Sequence, residues 1–150
     1  MNTYHDRFRE ETPRLLAMAK RVATVHGERE PRLVEILDTF DDLSFELLKQ
    51  LAKEELEIFP QIHRLADPLL TLEPAHADEL LSAMRWNFDV AGEAMARIKT
   101  LSDDYQAPEH ACNTYRALFS GLEEFEEDLR RHANLENAEL FPAVLERLRR

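Results

Sequence analysis

Apolar residues recur along this chain at alternating spacings of three and four, the signature of one face of an α-helix. Four such seams are legible. The first reads His5, Phe8, Thr12, Leu15, Ala19, Val22, His26, and the second reads Leu33, Ile36, Phe40, Leu43, Leu47, Gln50, Glu54, Ile58. The third reads Leu81, Met84, Phe88, Ala91, Met95, Ile98, and the fourth reads Leu118, Leu122, Phe125, Leu129, His132, Glu136, Leu140. Breakers set their limits: Gly27 after His26, Pro31, Asp67-Pro68, Ser102-Asp103-Asp104 and Pro108. These signals predict helices over about Thr3–Val25, Pro31–Leu65, Pro74–Leu101 and Pro108 to the end. Pro13, Pro60 and Pro142 fall inside those spans and are expected to kink or divide them. Four amphipathic segments with short connections predict an all-α fold, an up-down-up-down four-helix bundle.

Composition narrows this picture. A chain of 150 residues suits one domain over 1–150 with a sizeable core. It is 44% hydrophobic and 33% charged with only three glycines, which favours helix throughout. The net charge of −11 argues against nucleic acid or an anionic membrane as partner. No apolar run approaches the roughly 20 residues of a membrane span. The single cysteine, Cys112, has no internal disulfide partner. With no apolar leader at the N-terminus, a cytoplasmic location is expected.

The informative positions are polar residues that interrupt the seams, because an ionisable group in a core is costly unless paired or bound to metal. Gln50, Glu54, His132, Glu136 and His5 are such interruptions. Two of them lie in a repeat. Glu54, Glu57 and Phe59-Pro60 recur 82 residues later as Glu136, Glu139 and Phe141-Pro142. One helical turn before the glutamate stands Gln50 in the first copy and His132 in the second. A histidine four residues before a glutamate puts both on one helix face, as helical bundles build metal sites. Antiparallel packing brings the start of helix one to the ends of helices two and four. His5, Glu54, His132 and Glu136 are therefore expected to converge in one layer. The bland alternative is a metal-free buried polar network of the same four residues. His26 lies 21 residues from His5, about 31 Å along a helix. With no signal that the segment folds back at Pro13, it is expected to serve the helix C-terminus instead. His63, His76 and His110 are expected at the surface, and the acids of Glu123–Asp128 on a solvated face.

At this point the chain resembles the hemerythrin-like domain family, closest to the bacterial di-iron repair-of-iron-centres proteins. The resemblance is carried by Tyr4-His5-Asp6-Arg7, Val25-His26-Gly27, Lys53-Glu54-Glu55 with Phe59-Pro60, Asp89 with Ala91-Gly92-Glu93, Ala111 through Arg116, and His132 with Leu135-Glu136-Asn137 and Leu140-Phe141-Pro142. It implies a hemerythrin-like bundle holding non-haem iron, with Glu54 and Glu136 in the place of bridging glutamates and His5 and His132 in the place of histidine ligands. Two positions depart: Gln50 and Phe88 stand where the resemblance implies histidines. The cysteine-bearing N-terminal domain common among the repair proteins is also not seen. Glutamine offers only a neutral amide oxygen and phenylalanine offers nothing. The expectation is a depleted site of one or two ions, the simplest form a single metal on His5, His132, Glu54 and Glu136 with Gln50 as a ligand or hydrogen bonder.

The resemblance also implies a role in iron, oxygen or nitric-oxide stress, with a small diatomic molecule as a further ligand. The alternative reading is a metal-free bundle acting as a binding or regulatory module. No nucleophile–base pair, phosphate loop or cofactor fingerprint points to a classical enzyme, and no catalytic residue is assigned. Cys112 is expected to be a small packing residue early in helix four.

Overall fold

A computed structural model of the chain describes residues 2–58, 74–135 and 146. The described residues form an all-α four-helix bundle. Helix α1 spans Asn2–His26, α2 spans Arg32–Lys53 and runs into a π-helical turn at Glu54–Ile58, α3 spans Pro74–Leu101, and α4 spans Asn113–Leu135. The main packing contacts form a ring: α1 on α2, α2 on α3, α3 on α4, and α4 back on α1.

The seams become the core. Phe8, Leu15, Ala19 and Val22 from α1 are buried with Leu33, Ile36, Phe40, Leu43 and Leu47 from α2. Ala91, Met95 and Ile98 from α3 meet Leu118, Leu122, Phe125 and Leu129 from α4. Aromatic edges organise its middle, with Phe125 in edge-on contact with both Phe8 and Phe40 at centroid distances of 5.5 and 5.2 Å. Where α4 crosses α1, Gly121 lets the backbones close up, since a Cβ there would run into the Leu15 side chain. Helix α1 passes through Pro13 without dividing, which keeps His26 at the opposite end of the helix from His5. It stops at Gly27, where a Cβ would collide with the Ala23 carbonyl oxygen.

Three expectations need correction. The fourth helix begins at Asn113, not at Pro108. The segment before it is a loop held by Arg116, whose guanidinium donates to the carbonyls of Pro108, Glu109 and Ala111. Cys112 therefore precedes the helix and is exposed rather than packed. The acidic stretch of α4 is not wholly solvated either. Asp128 is buried and pairs with Arg7 of α1 at 3.0 Å, and Glu126 accepts a short hydrogen bond from the Tyr105 hydroxyl. Burial raises the Asp128 carboxyl above its ordinary range, against the opposing pull of Arg7. The Tyr105 bond anchors the turn after α3, where Asp103, Asp104 and Tyr105 all adopt left-handed φ angles of 54–61°.

Phe40 has no exposed surface and bridges α2 to Phe125 of α4. Phe40→Ala should lower the unfolding free energy by about 3–5 kcal/mol, measured by guanidinium denaturation, with the far-ultraviolet helical signal retained.

Candidate metal centre

Three helices bring one ionisable side chain each to the same point. His5 comes from the N-terminal end of α1, Glu54 from the first residue of the π turn, and His132 from the last turn of α4. Their exposures are 0%, 2% and 0%. Glu54 Oε2 lies 3.2 Å from His5 Nε2 and 3.9 Å from His132 Nε2. One ligand atom from each of the three lies within 4.8 Å of the others. Ligands about 2.1 Å from one ion stand roughly 3 Å apart when adjacent in its shell, so this donor set is of a size to hold a cation. Rings wall the site. His5 and His132 meet edge-on at 5.2 Å, and Tyr4 and Phe8 lie 5.9 and 5.8 Å from His132.

The π turn shapes the carboxylate side. The Glu54 N–H donates to the carbonyls of both Gln50 and Leu51, four and three residues back, and the π turn begins at this residue. Single π turns recur at functional sites because they re-aim side chains inside a helix. Here two consecutive carboxylates bracket one imidazole. Glu54 faces His5 Nε2, while Glu55 Oε1 sits 2.9 Å from His5 Nδ1. Glu55 is held in turn by both arms of the Arg9 guanidinium, at 2.7 and 2.6 Å. Those Arg9 bonds, helped by His5 and opposed by desolvation, hold the Glu55 carboxyl down at about 2. Burial alone would lower the His5 basicity, but its hydrogen bonds to Glu54 and Glu55 outweigh it and raise the imidazole above 6.5.

Of the five expected site residues, His5, Glu54 and His132 come together. Gln50 stands one turn before Glu54 and is half-buried, and its Nε2 is buried with no hydrogen-bond partner among the described residues. Glu136 lies outside the described residues. Phe88 lies on α3, with its side chain outside the described set. Glu55 and Arg9 are absent from the seam pattern. Their signal was weaker: an arginine one turn after His5 and a second acid directly after Glu54.

At the opposite end of the bundle His26 closes α1 with its ring 5.5 Å from that of Tyr115 and its Nε2 3.7 Å from Cys112 Sγ. The Tyr115 hydroxyl donates to Glu30 at 2.9 Å and accepts from Arg32 at 3.0 Å. His110 is exposed, as expected, and His63 and the side chain of His76 lie outside the described residues.

The family profile described as Hemerythrin HHE cation binding domain matches residues 1–144. The chain belongs to this family. The HHE chain is 35% identical over 150 residues to proteins named iron-sulfur cluster repair protein YtfE from Yersinia pseudotuberculosis serotype IB (strain PB1/+) and Yersinia pestis (strain Pestoides F). The match covers 97% of this chain and 62% of each relative, so the chain spans less than two thirds of the length of those proteins. Among the described residues no helix is long and apolar enough to cross a membrane.

The Glu55 contacts set a pH dependence. A carboxyl lowered from 4.5 to about 2 leaves the native state binding fewer protons than the unfolded chain between those values. Its stabilisation is full above pH 4.5 and is lost as pH falls through about 2. Thermal midpoints of the wild type should therefore drop more steeply over that acid window than those of Glu55→Gln.

Proposed function

We propose that this protein binds non-haem iron at the His5–Glu54–His132 layer, with one domain over 1–150 serving that site. The observation that carries the reading is the convergence of two imidazoles and a carboxylate, each with no more than 2% exposure, from three separate helices. Two histidines and one carboxylate with open positions form a donor set suited to ferrous iron. Glu136 and Gln50 complete the proposed set, Glu136 from the repeat and Gln50 through its amide. We read the site as holding a single ion, because Gln50 and Phe88 replace two of the imidazoles that a second ion would need.

Bound iron would supply a coordination position for a small diatomic ligand. The chain's own residues supply the rest. His5 and Glu54 hold their ligand atoms in place, Phe8 and Tyr4 restrict water around His132, and Glu55 keeps the proton on the far nitrogen of His5. The relatives' name, iron-sulfur cluster repair protein, supports a role in handling iron, oxygen or nitric oxide under stress. A cytoplasmic location is part of the same proposal, and so is the absence of a nucleic-acid partner, which the net charge of −11 supports.

Protein purified anaerobically with ferrous iron should carry about one iron per chain, and Glu54→Ala and His132→Ala should each lose most of it. At iron about 100-fold above the dissociation constant, binding should stabilise the fold by about 2.7 kcal/mol. That corresponds to a rise of roughly 5–10 °C in melting temperature for a chain of this size. No iron uptake and no shift in melting would leave a metal-free binding module as the reading, and two irons per chain would contradict the single-ion site.

A further inference from the structure

We propose that Arg9 and Glu55 are positioning residues that fix which nitrogen of His5 meets the metal, so that a surface arginine governs affinity at a buried site. The inference rests on the reading of His5, Glu54 and His132 as a metal site and extends it to residues that touch no ion.

The geometry is a three-member relay. Arg9 donates through Nη1 and Nη2 to the two oxygens of Glu55, at 2.7 and 2.6 Å. Glu55 Oε1 lies 2.9 Å from His5 Nδ1. Glu54 Oε2 faces the other nitrogen, Nε2, at 3.2 Å. With a cation on Nε2, the neutral ring keeps its one proton on Nδ1 and donates it to Glu55, because an ionised carboxylate can only accept. An imidazole without such a partner divides between two tautomers and rotates. The partner on its outer nitrogen is what fixes both orientation and basicity.

Energetics separate this role from a purely structural one. The Arg9 and Glu55 side chains retain 40% and 31% exposure. An ion pair that exposed contributes little to folding, because water screens it and ordering two long side chains costs entropy. Yet it is bidentate, joins α1 to the π turn 46 residues away, and ends on a side chain with no exposure. The planar guanidinium fork suits this duty because it constrains both carboxylate oxygens at once, which an ammonium does not.

The test uses the full chain and the variants Glu55→Ala, Glu55→Gln, Arg9→Gln and Arg9→Lys. Nitrogen-15 spectra of the histidines, taken metal-free above the imidazole titration range, report the His5 tautomer. Ferrous affinity is measured by competition with a chromophoric chelator. The wild type should show a substantial Nδ1-protonated population of His5, although carboxylates face both of its nitrogens. Glu55→Ala should move the proton toward Nε2, where Glu54 still accepts, and lower iron affinity roughly 10–100-fold. Glu55→Gln should restore part of the loss, because its amide oxygen still accepts from Nδ1. Arg9→Gln should weaken binding by a smaller factor, and Arg9→Lys should fall between it and the wild type. Unchanged tautomer and affinity in Glu55→Ala would overturn the inference while leaving the metal site standing. A wild type that takes up no ferrous iron would overturn the metal reading itself, and the metal-free spectra would still decide whether Glu55 sets the tautomer.

Discussion

The end of the bundle that holds the start of α1 and His132 of α4 depends on one constraint, the cost of withdrawing imidazoles and carboxylates from water. His5, Glu54 and His132 have almost no contact with solvent, and ionisable groups in such a place are stable only when paired or bound to metal. Each is delivered by a different helix, so mutual contact requires those helices to pack in the right register. The polar layer is thus a specification for the bundle as much as a site within it. Removing one member leaves its neighbours desolvated without their counter-charge, the situation that makes broken buried pairs so destabilising.

The hydrophobic layers beneath that site provide the rigidity it needs. Phe8 lies one turn below His5 and touches both His132 and Phe125, and Phe125 in turn touches Phe40. Three helices are thereby keyed together immediately under the ligand atoms. The far end is built differently. There a hydrogen-bonded set on Glu30, Arg32 and Tyr115 ties the α1–α2 connection to the start of α4, and Arg32 also reaches the carbonyl of Leu101 at the end of α3. One end of the molecule is organised by ionisable groups in a dry layer and the other by partly wetted hydrogen bonds.

Much of this was legible in the sequence because helical periodicity and burial share one cause. The seam residues of α1, α2 and α4 are buried wherever their side chains are described, apart from the polar Gln50 and the terminal His26. The same logic isolated His5, Glu54 and His132 as polar residues on apolar faces. It could not isolate Glu55 and Arg9, which lie off the seams and take their meaning only from the neighbouring helix. It also misplaced the start of α4, because a proline suits a loop as well as the first turn of a helix. The carbonyl contacts of Arg116 that hold Pro108–Ala111 out of the helix carry no short-range signature. Nor does the π turn, whose residues read as ordinary helix formers.

That π turn has a consequence for how the chain tolerates change. A π turn bonds to the fifth residue back rather than the fourth, and so absorbs one extra residue per turn. Counting in threes and fours therefore holds as far as Glu54, which stays on the seam of Leu47 and Gln50, and shifts beyond it. The core face of α2 and the Glu54 carboxylate share one helical phase, so any substitution that rotates that face turns Glu54 with it. A single-residue deletion after Glu55 within the turn would restore the α-helical count from there on while leaving Glu54 in register with the core.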